Sequence, residues 1–86
     1  MAKIFDLNII TPDAPVYEGK VSSLVAPSKL GYMGVLADHA PIIAALKPGK
    51  ITLKEASGGR KVFDSVSEGF LEAMNNRAVI LLSSSH

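Results

Sequence analysis

The chain has 86 residues, nine Lys and Arg against eight Asp and Glu, and 48% hydrophobic residues. That length holds a single domain, 1–86, whose thin core removes only roughly 60–65% of the unfolded surface from water. A charge near neutrality with no clustered basic stripe excludes ordinary nucleic-acid binding, and the lack of cysteine excludes disulfides and thiolate metal sites.

Period-two alternation dominates the chain. Phe5, Leu7 and Ile9 face one way and Asp6 and Asn8 the other, as in a half-buried strand. Thr11-Pro12-Asp13-Ala14-Pro15 is turn chemistry, because each Pro restricts itself and the residue before it. Val16–Val21 and Leu24–Ala26 continue as strands, with Gly19 expected to mark a bulge or bend. The segment from Asp38 to Leu46 is ambiguous. His39, Ile42, Ile43 and Leu46 fall at helical spacing behind an Asp38 cap, yet the run is too short for periodicity to choose between helix and strand.

Lys50 to Ser67 reads as a hairpin around Ser57-Gly58-Gly59. A turn at Gly58-Gly59 alone sets Leu53 against Asp64, whereas a loop of Ser57 to Gly59 sets Leu53 against Phe63 and Glu55 against Lys61. The second register is the one expected. Phe70–Met74 and Ala78–Leu82 flank Asn75-Asn76-Arg77, a further hairpin in which Asn accepts positive φ. The last strand is apolar on both faces, so it is either central and covered or half of an interface. Short strands separated by turns every 8–12 residues make a sandwich or barrel.

No apolar run approaches the ~18–20 residues that span a bilayer, so direct membrane insertion is not expected. Met1–Asp6 lacks the apolar core of a signal peptide, and the chain reads as not exported. Candidate chemistry is sparse. His39 beside Asp38, with Ser22, Ser23 and Ser28, invites a hydrolase reading, but no Gly-x-Ser-x-Gly elbow presents a nucleophile. A metal site built on His39 and His86 has no sensible spacing. The plainer role for His39 is to satisfy a loop carbonyl through a ring nitrogen. Gly31-Tyr32-Met33-Gly34 lacks the Lys-Ser/Thr of a phosphate loop and instead sets two adaptable contact residues between glycines. Lys47, Lys50, Lys54, Arg60 and Lys61 lend a mild basic bias, read mainly as a solvated face.

One ordered set of residues goes further. Gly31 and Gly34, then His39-Ala40-Pro41-Ile42, then Leu46-Lys47-Pro48-Gly49 closely resemble the signature of the epsilon subunit of the F-type ATP synthase, called delta in mitochondria. Phe5–Pro12, Val16–Gly19, Val66–Glu72 and Asn76–Leu81 extend the resemblance over nearly the whole chain. The resemblance implies an all-β, flattened sandwich of about ten short strands in two sheets, and it decides for a strand after His39-Ala40-Pro41. It also implies a non-catalytic rotor subunit of the central stalk, needing no cofactor and no metal. Its partners would be the gamma subunit and the proteolipid c-subunit ring, coupling proton-driven rotation to ATP synthesis at the cytoplasmic face of the bacterial inner membrane. By position, Thr11, His39 and Pro41 would lie on the gamma side and Leu30, Gly31, Tyr32, Met33 and Gly34 on the ring side. Tyr32 stands where the family usually has Glu, Ala37 where it has Pro, and Glu68 where Gly is common. The sequence stops where the sandwich stops, so the family's C-terminal helical hairpin is expected to be absent. The rival reading is a stand-alone β-sandwich binding module. With its partners absent, the free chain is expected to be open to artificial self-association.

Overall fold

The structure, a computed structural model, describes residues 3–84. Its strands are β1 (Phe5–Ile10), β2 (Pro15–Ser28), β3 (Gly31–Leu36), β4 (Ile42–Leu46), β5 (Gly49–Glu55), β6 (Arg60–Ser65), β7 (Gly69–Met74) and β8 (Arg77–Leu82). Among the described residues there is no helix. The ladder runs β1-β8-β7-β4-β2-β5-β6, with β3 on β2 and β1 also on β2.

The long β2 organises this arrangement. Its first half pairs β1, from Phe5↔Val21 to Ile9↔Tyr17, and its second half pairs β3, from Ser23↔Leu36 to Ser28↔Gly31. On its other edge it holds β5, and at Ser28↔Leu46 it touches β4. A register irregularity between Val21 and Ser23 inserts one residue. Inward positions therefore change from odd (Tyr17, Gly19, Val21) to even (Leu24, Ala26), and one strand serves both layers without turning its apolar face to water. The two stretches expected here are thus one continuous strand, and eight strands suffice where about ten short ones were expected.

The core is the meeting of two inner faces. Phe5, Leu7 and Ile9 of β1, Leu71 of β7 and Ile80 of β8 pack against Val21 and Leu24 of β2, Val35 of β3 and Ile51 and Leu53 of β5, all essentially inaccessible to water. Register and burial agree strand by strand, since Leu7 stands opposite Ala78, Ile9 opposite Ile80 and Ile80 opposite Leu71. The β1–β8 pair is parallel and joins the two ends of the described chain. Its other edge holds β7, so the last strand is central, as one of the two expected alternatives had it.

Several sequence expectations are corrected in detail. Gly19 pairs regularly with Leu7 and makes no bulge; a Cβ there would lie 2.6 Å from Tyr17 Oη, so the glycine clears space for the Tyr17 ring. In the β5–β6 hairpin the facing pairs are Ile51↔Phe63, Thr52↔Val62, Leu53↔Lys61 and Lys54↔Arg60. Leu53 thus meets Lys61 instead of Phe63, and Glu55, which has no partner in β6 but pairs with Val21 of β2, accepts the Tyr17 hydroxyl at 2.9 Å. The register follows from Phe63 packing against the core beside the buried Ile51, with the Tyr17 ring 5.9 Å away. In the β7–β8 hairpin Asn75 and Asn76 take φ of 51° and 61°, while Arg77 already belongs to the strand.

Candidate functional site

The outer faces of the two layers carry the surface chemistry. On the layer β4-β7-β8-β1 the cross-strand rows can be read directly. One row is Ala45, Phe70, Leu81 and Ile10; the next is Ile43, Glu72, Val79 and Asn8; the third is Met74, Arg77, Asp6 and Lys20. The face therefore grades from apolar to charged across roughly 13 Å of strand length. Ile43 is 77% exposed, Phe70 59% and Leu81 50%. A cleft of about 350 Å³ lies beside Phe70 and Leu81, rimmed by Lys29 and Glu68, which form an ion pair at 2.8 Å. The Lys29 ammonium holds the Glu68 carboxyl below the ordinary range through a hydrogen bond and its charge. At the charged end, Lys20 holds Asp6 down in the same way, across 2.8 Å.

The signature residues sit at the ends and edges of this body. His39 follows Asp38, which takes φ of 62° in the turn between β3 and β4. The His39 ring meets Phe5 edge-on at 5.8 Å, and its Nδ1 donates to the Ala40 carbonyl at 3.1 Å. Nε2 is buried with no hydrogen-bond partner among the described residues. The carboxylate of Asp38 engages Lys3 at 2.5 Å, so the adjacent acid and imidazole do not form a relay. Ser28 spends its hydroxyl on the Gly31 carbonyl and Ser22 on the Lys54 carbonyl, so neither of them serves His39. Among the described residues no group of three or more His, Asp and Glu could hold a metal. His86 lies outside the described residues.

Thr11 is 5% exposed; its hydroxyl donates to the Ala14 carbonyl at 2.9 Å and accepts from the Ala14 amide at 3.3 Å, closing the β1–β2 turn. Thr11 and His39 thus mark opposite ends of β1, whereas Pro41 is exposed on the same parity as Ile43 and Ala45. The five residues Leu30 to Gly34 lie together at the β2–β3 turn and along β3. Leu30 is fully exposed, Tyr32 stands opposite Pro27 on the outer face, and Met33 packs towards the core. Tyr32 leans over Pro27 and Gly49: a Cβ at Gly49 would lie 3.0 Å from the Pro27 ring and 3.2 Å from Tyr32 Oη.

Phe70 and Ile43 were not singled out as surface residues by the sequence: Phe70 shares the outward parity of β7 with Glu72 and Met74, and Ile43 lies in the wholly apolar β4, whose two faces the sequence does not distinguish. Of the two leucines that end the last strand, Leu81 faces out and Leu82 is buried.

Comparison with known proteins places this geometry. The sequence matches the family described as "ATP synthase, Delta/Epsilon chain, beta-sandwich domain" over residues 4–85. It is 42% identical over 81 residues to the ATP synthase epsilon chain of Desulforamulus reducens, covering 94% of this chain and 60% of that one. The epsilon chain of Dichelobacter nodosus is 38% identical over 81 residues, with 94% and 56% covered, and that of Chlorobaculum tepidum 38% over 79 residues, with 92% and 89% covered. The chain thus spans less than two thirds of the first two relatives. Among solved structures, a chain of the Euglena gracilis mitochondrial ATP synthase OSCP/F1/c-ring assembly superposes with a TM-score of 0.83 at 24% identity, covering 95% of this chain and 51% of that one, a likeness of fold. The chain belongs to the β-sandwich domain family of the ATP synthase delta/epsilon chains.

Proposed function

We propose that this sandwich is the non-catalytic stalk-docking part of an ATP synthase epsilon chain, carrying rotation between the gamma subunit and the proteolipid ring. The observation that carries the reading is the outer face of β4-β7-β8-β1, where Ile43, Phe70 and Leu81 stand exposed beside one another with a charged row at the far side. An apolar centre with a polar rim is how a stable protein interface is built. On this reading gamma covers that face, Pro41 extends it, and the Thr11 turn and the His39 turn shape its two ends. The turn carrying Leu30 and Gly31, followed by Tyr32, Met33 and Gly34, meets the ring. With Tyr32 where the family usually has Glu, the ring contact works by packing and a hydroxyl instead of a carboxylate. The work demanded is torque transfer without slip, and a continuous ladder of eight strands with two broad faces is suited to it. In a cell the chain would be peripheral, on the cytoplasmic face of the bacterial inner membrane, driven by protons.

Titration calorimetry against the cognate gamma subunit tests this. One-to-one binding is expected, weakened at least about tenfold by the pair Phe70→Ser and Leu81→Ser and left within about twofold by Tyr32→Ala. No binding to folded gamma would overturn the reading.

A further inference from the structure

The layer β3-β2-β5-β6 ends in two strands that each leave one edge unpaired, and the two edges are built differently. β6 carries Arg60, Lys61 and Asp64 among its six residues, and Lys61 stands opposite the buried Leu53. Charges along an edge, including one set on the inward side, are how natural sheets refuse further strands. β3 carries no such guard. From Leu30 to Ala37 there is neither a charged residue nor a proline, and the register with β2 is regular from Ser23↔Leu36 to Ser28↔Gly31. Tyr32 and Leu36 are 61% and 64% exposed along it. A regular, neutral edge with apolar side chains beside unpaired backbone donors and acceptors is a template for another extended strand.

We propose that the occupant is β3 of a second copy, joined antiparallel across a two-fold axis normal to the sheet. Charge argues for this partner. Two neutral strands meet without repulsion, whereas the β6 edge of another copy would set Arg60, Lys61 and Asp64 against a strand offering no counter-charge. Face parity argues for it too. Such an axis keeps outward residues opposite outward residues, so facing positions must share parity. The register that sets Gly34 against its own copy also sets Tyr32 against Leu36 twice on the outer face and Met33 against Val35 twice on the inner one. Every side-chain pair in it is apolar, and the glycines lie at the axis, where the two backbones come together. Gly34 is not a conformational necessity: a Cβ there meets only the Leu24 carbonyl at 3.9 Å, and its φ is not positive. The position can therefore be substituted without disturbing the subunit. If the ring contact proposed above is made through Tyr32 and Met33, self-pairing would hide it, a consequence that rests on that reading.

Sedimentation equilibrium of the free chain, from micromolar to about 1 mM, tests the pairing independently of gamma or ring. A monomer–dimer equilibrium is expected. Gly34→Lys, which sets like charges across the axis, should raise the dissociation constant at least about tenfold with the far-UV spectrum and melting unchanged. Phe70→Lys, on the opposite layer, should leave it within about twofold. Gly34→Cys, the only thiol in a chain without cysteine, should give a covalent dimer under mild oxidation. A chain monomeric throughout, a dimer indifferent to Gly34→Lys or dispersed by Phe70→Lys, an uncrosslinked Gly34→Cys, or growth beyond the dimer would each overturn the proposal.

Discussion

Tyr17 ties three strands together through one side chain. Its ring crosses the space that Gly19 leaves open, lies against Phe63 and delivers its hydroxyl to Glu55 at 2.9 Å, linking β2 with β5 and β6. Burial, then the hydrogen bond from the phenol to Glu55 and its negative charge, raise the Tyr17 pKa above the ordinary 10.0. The sign follows. A folded-state pKa above the unfolded one contributes stability that is complete below pH 10.0 and is lost as pH rises through the folded value. Tyr17→Phe should therefore cost about 1 kcal/mol at neutral pH and flatten the alkaline loss of stability, read from urea melts at pH 7 to 11. A slope in the variant equal to that of the parent would remove Tyr17 as its source. Gly69 is a second residue fixed by its surroundings, since a Cβ there would overlap the Leu81 carbonyl oxygen. The sequence shows a Gly before Phe70, but only the packed β7–β8 ladder shows why nothing larger fits.

At the scale of the element, the β5–β6 hairpin is the instructive case. Turn chemistry at Ser57-Gly58-Gly59 located the reversal, and pairing rules then favoured Leu53 with Phe63. Both residues seek apolar neighbours, but Phe63 finds them in Ile51 and Tyr17 and Leu53 in Leu24. The loop closes instead through Glu55 N–H to the Gly59 carbonyl and Gly58 N–H to the Glu55 carbonyl, at 2.6 and 2.9 Å. This register leaves Lys54 facing Arg60, a like-charge pair that costs stability. Arg60→Glu should accordingly stabilise the fold by roughly 0.5–1 kcal/mol, seen as a raised denaturation midpoint with unchanged slope. In the register expected from sequence Arg60 faces Ala56 and the same change would be neutral, so the measurement separates the two. The β7–β8 turn was readable at once, because two successive Asn residues accept positive φ where a two-residue hairpin turn requires it. Asn76 does more than turn: its side-chain amide donates to the Ile4 carbonyl at 2.7 Å, and its backbone carbonyl accepts from Asp6 N–H at 3.2 Å, anchoring the start of β1.

For the whole molecule, the β1–β8 parallel pair is decisive, because it fastens the first strand to the last, and unfolding is expected to be all-or-none. Ile80, buried between Ile9 and Leu71, should cost about 2–5 kcal/mol when cut to Ala, out of a total near 4–13 kcal/mol for this length. Loss at both ends of the chain together, followed by hydrogen exchange, is the expected signature; loss confined to the β7–β8 hairpin would contradict it. On the surface, the same closure sets Leu81 beside Phe70 and Ile10, three residues distant in sequence that share one outer row.

Alternation in most of the short segments determined the all-β class, with the family resemblance supplying the strand after His39-Ala40-Pro41, and the ordered glycine, His-Ala-Pro and Leu-Lys-Pro-Gly elements determined the family, because these are local properties of neighbouring residues. Only the tertiary structure decided that two segments form the single β2, that the bulge near Ser22 changes its inward parity, that Thr11 and His39 stand at opposite ends of β1, and that Phe70 and Ile43 are exposed while Leu82 is not. These depend on which strand lies beside which, and strands that meet across the sandwich are chosen by long-range packing that no local pattern encodes.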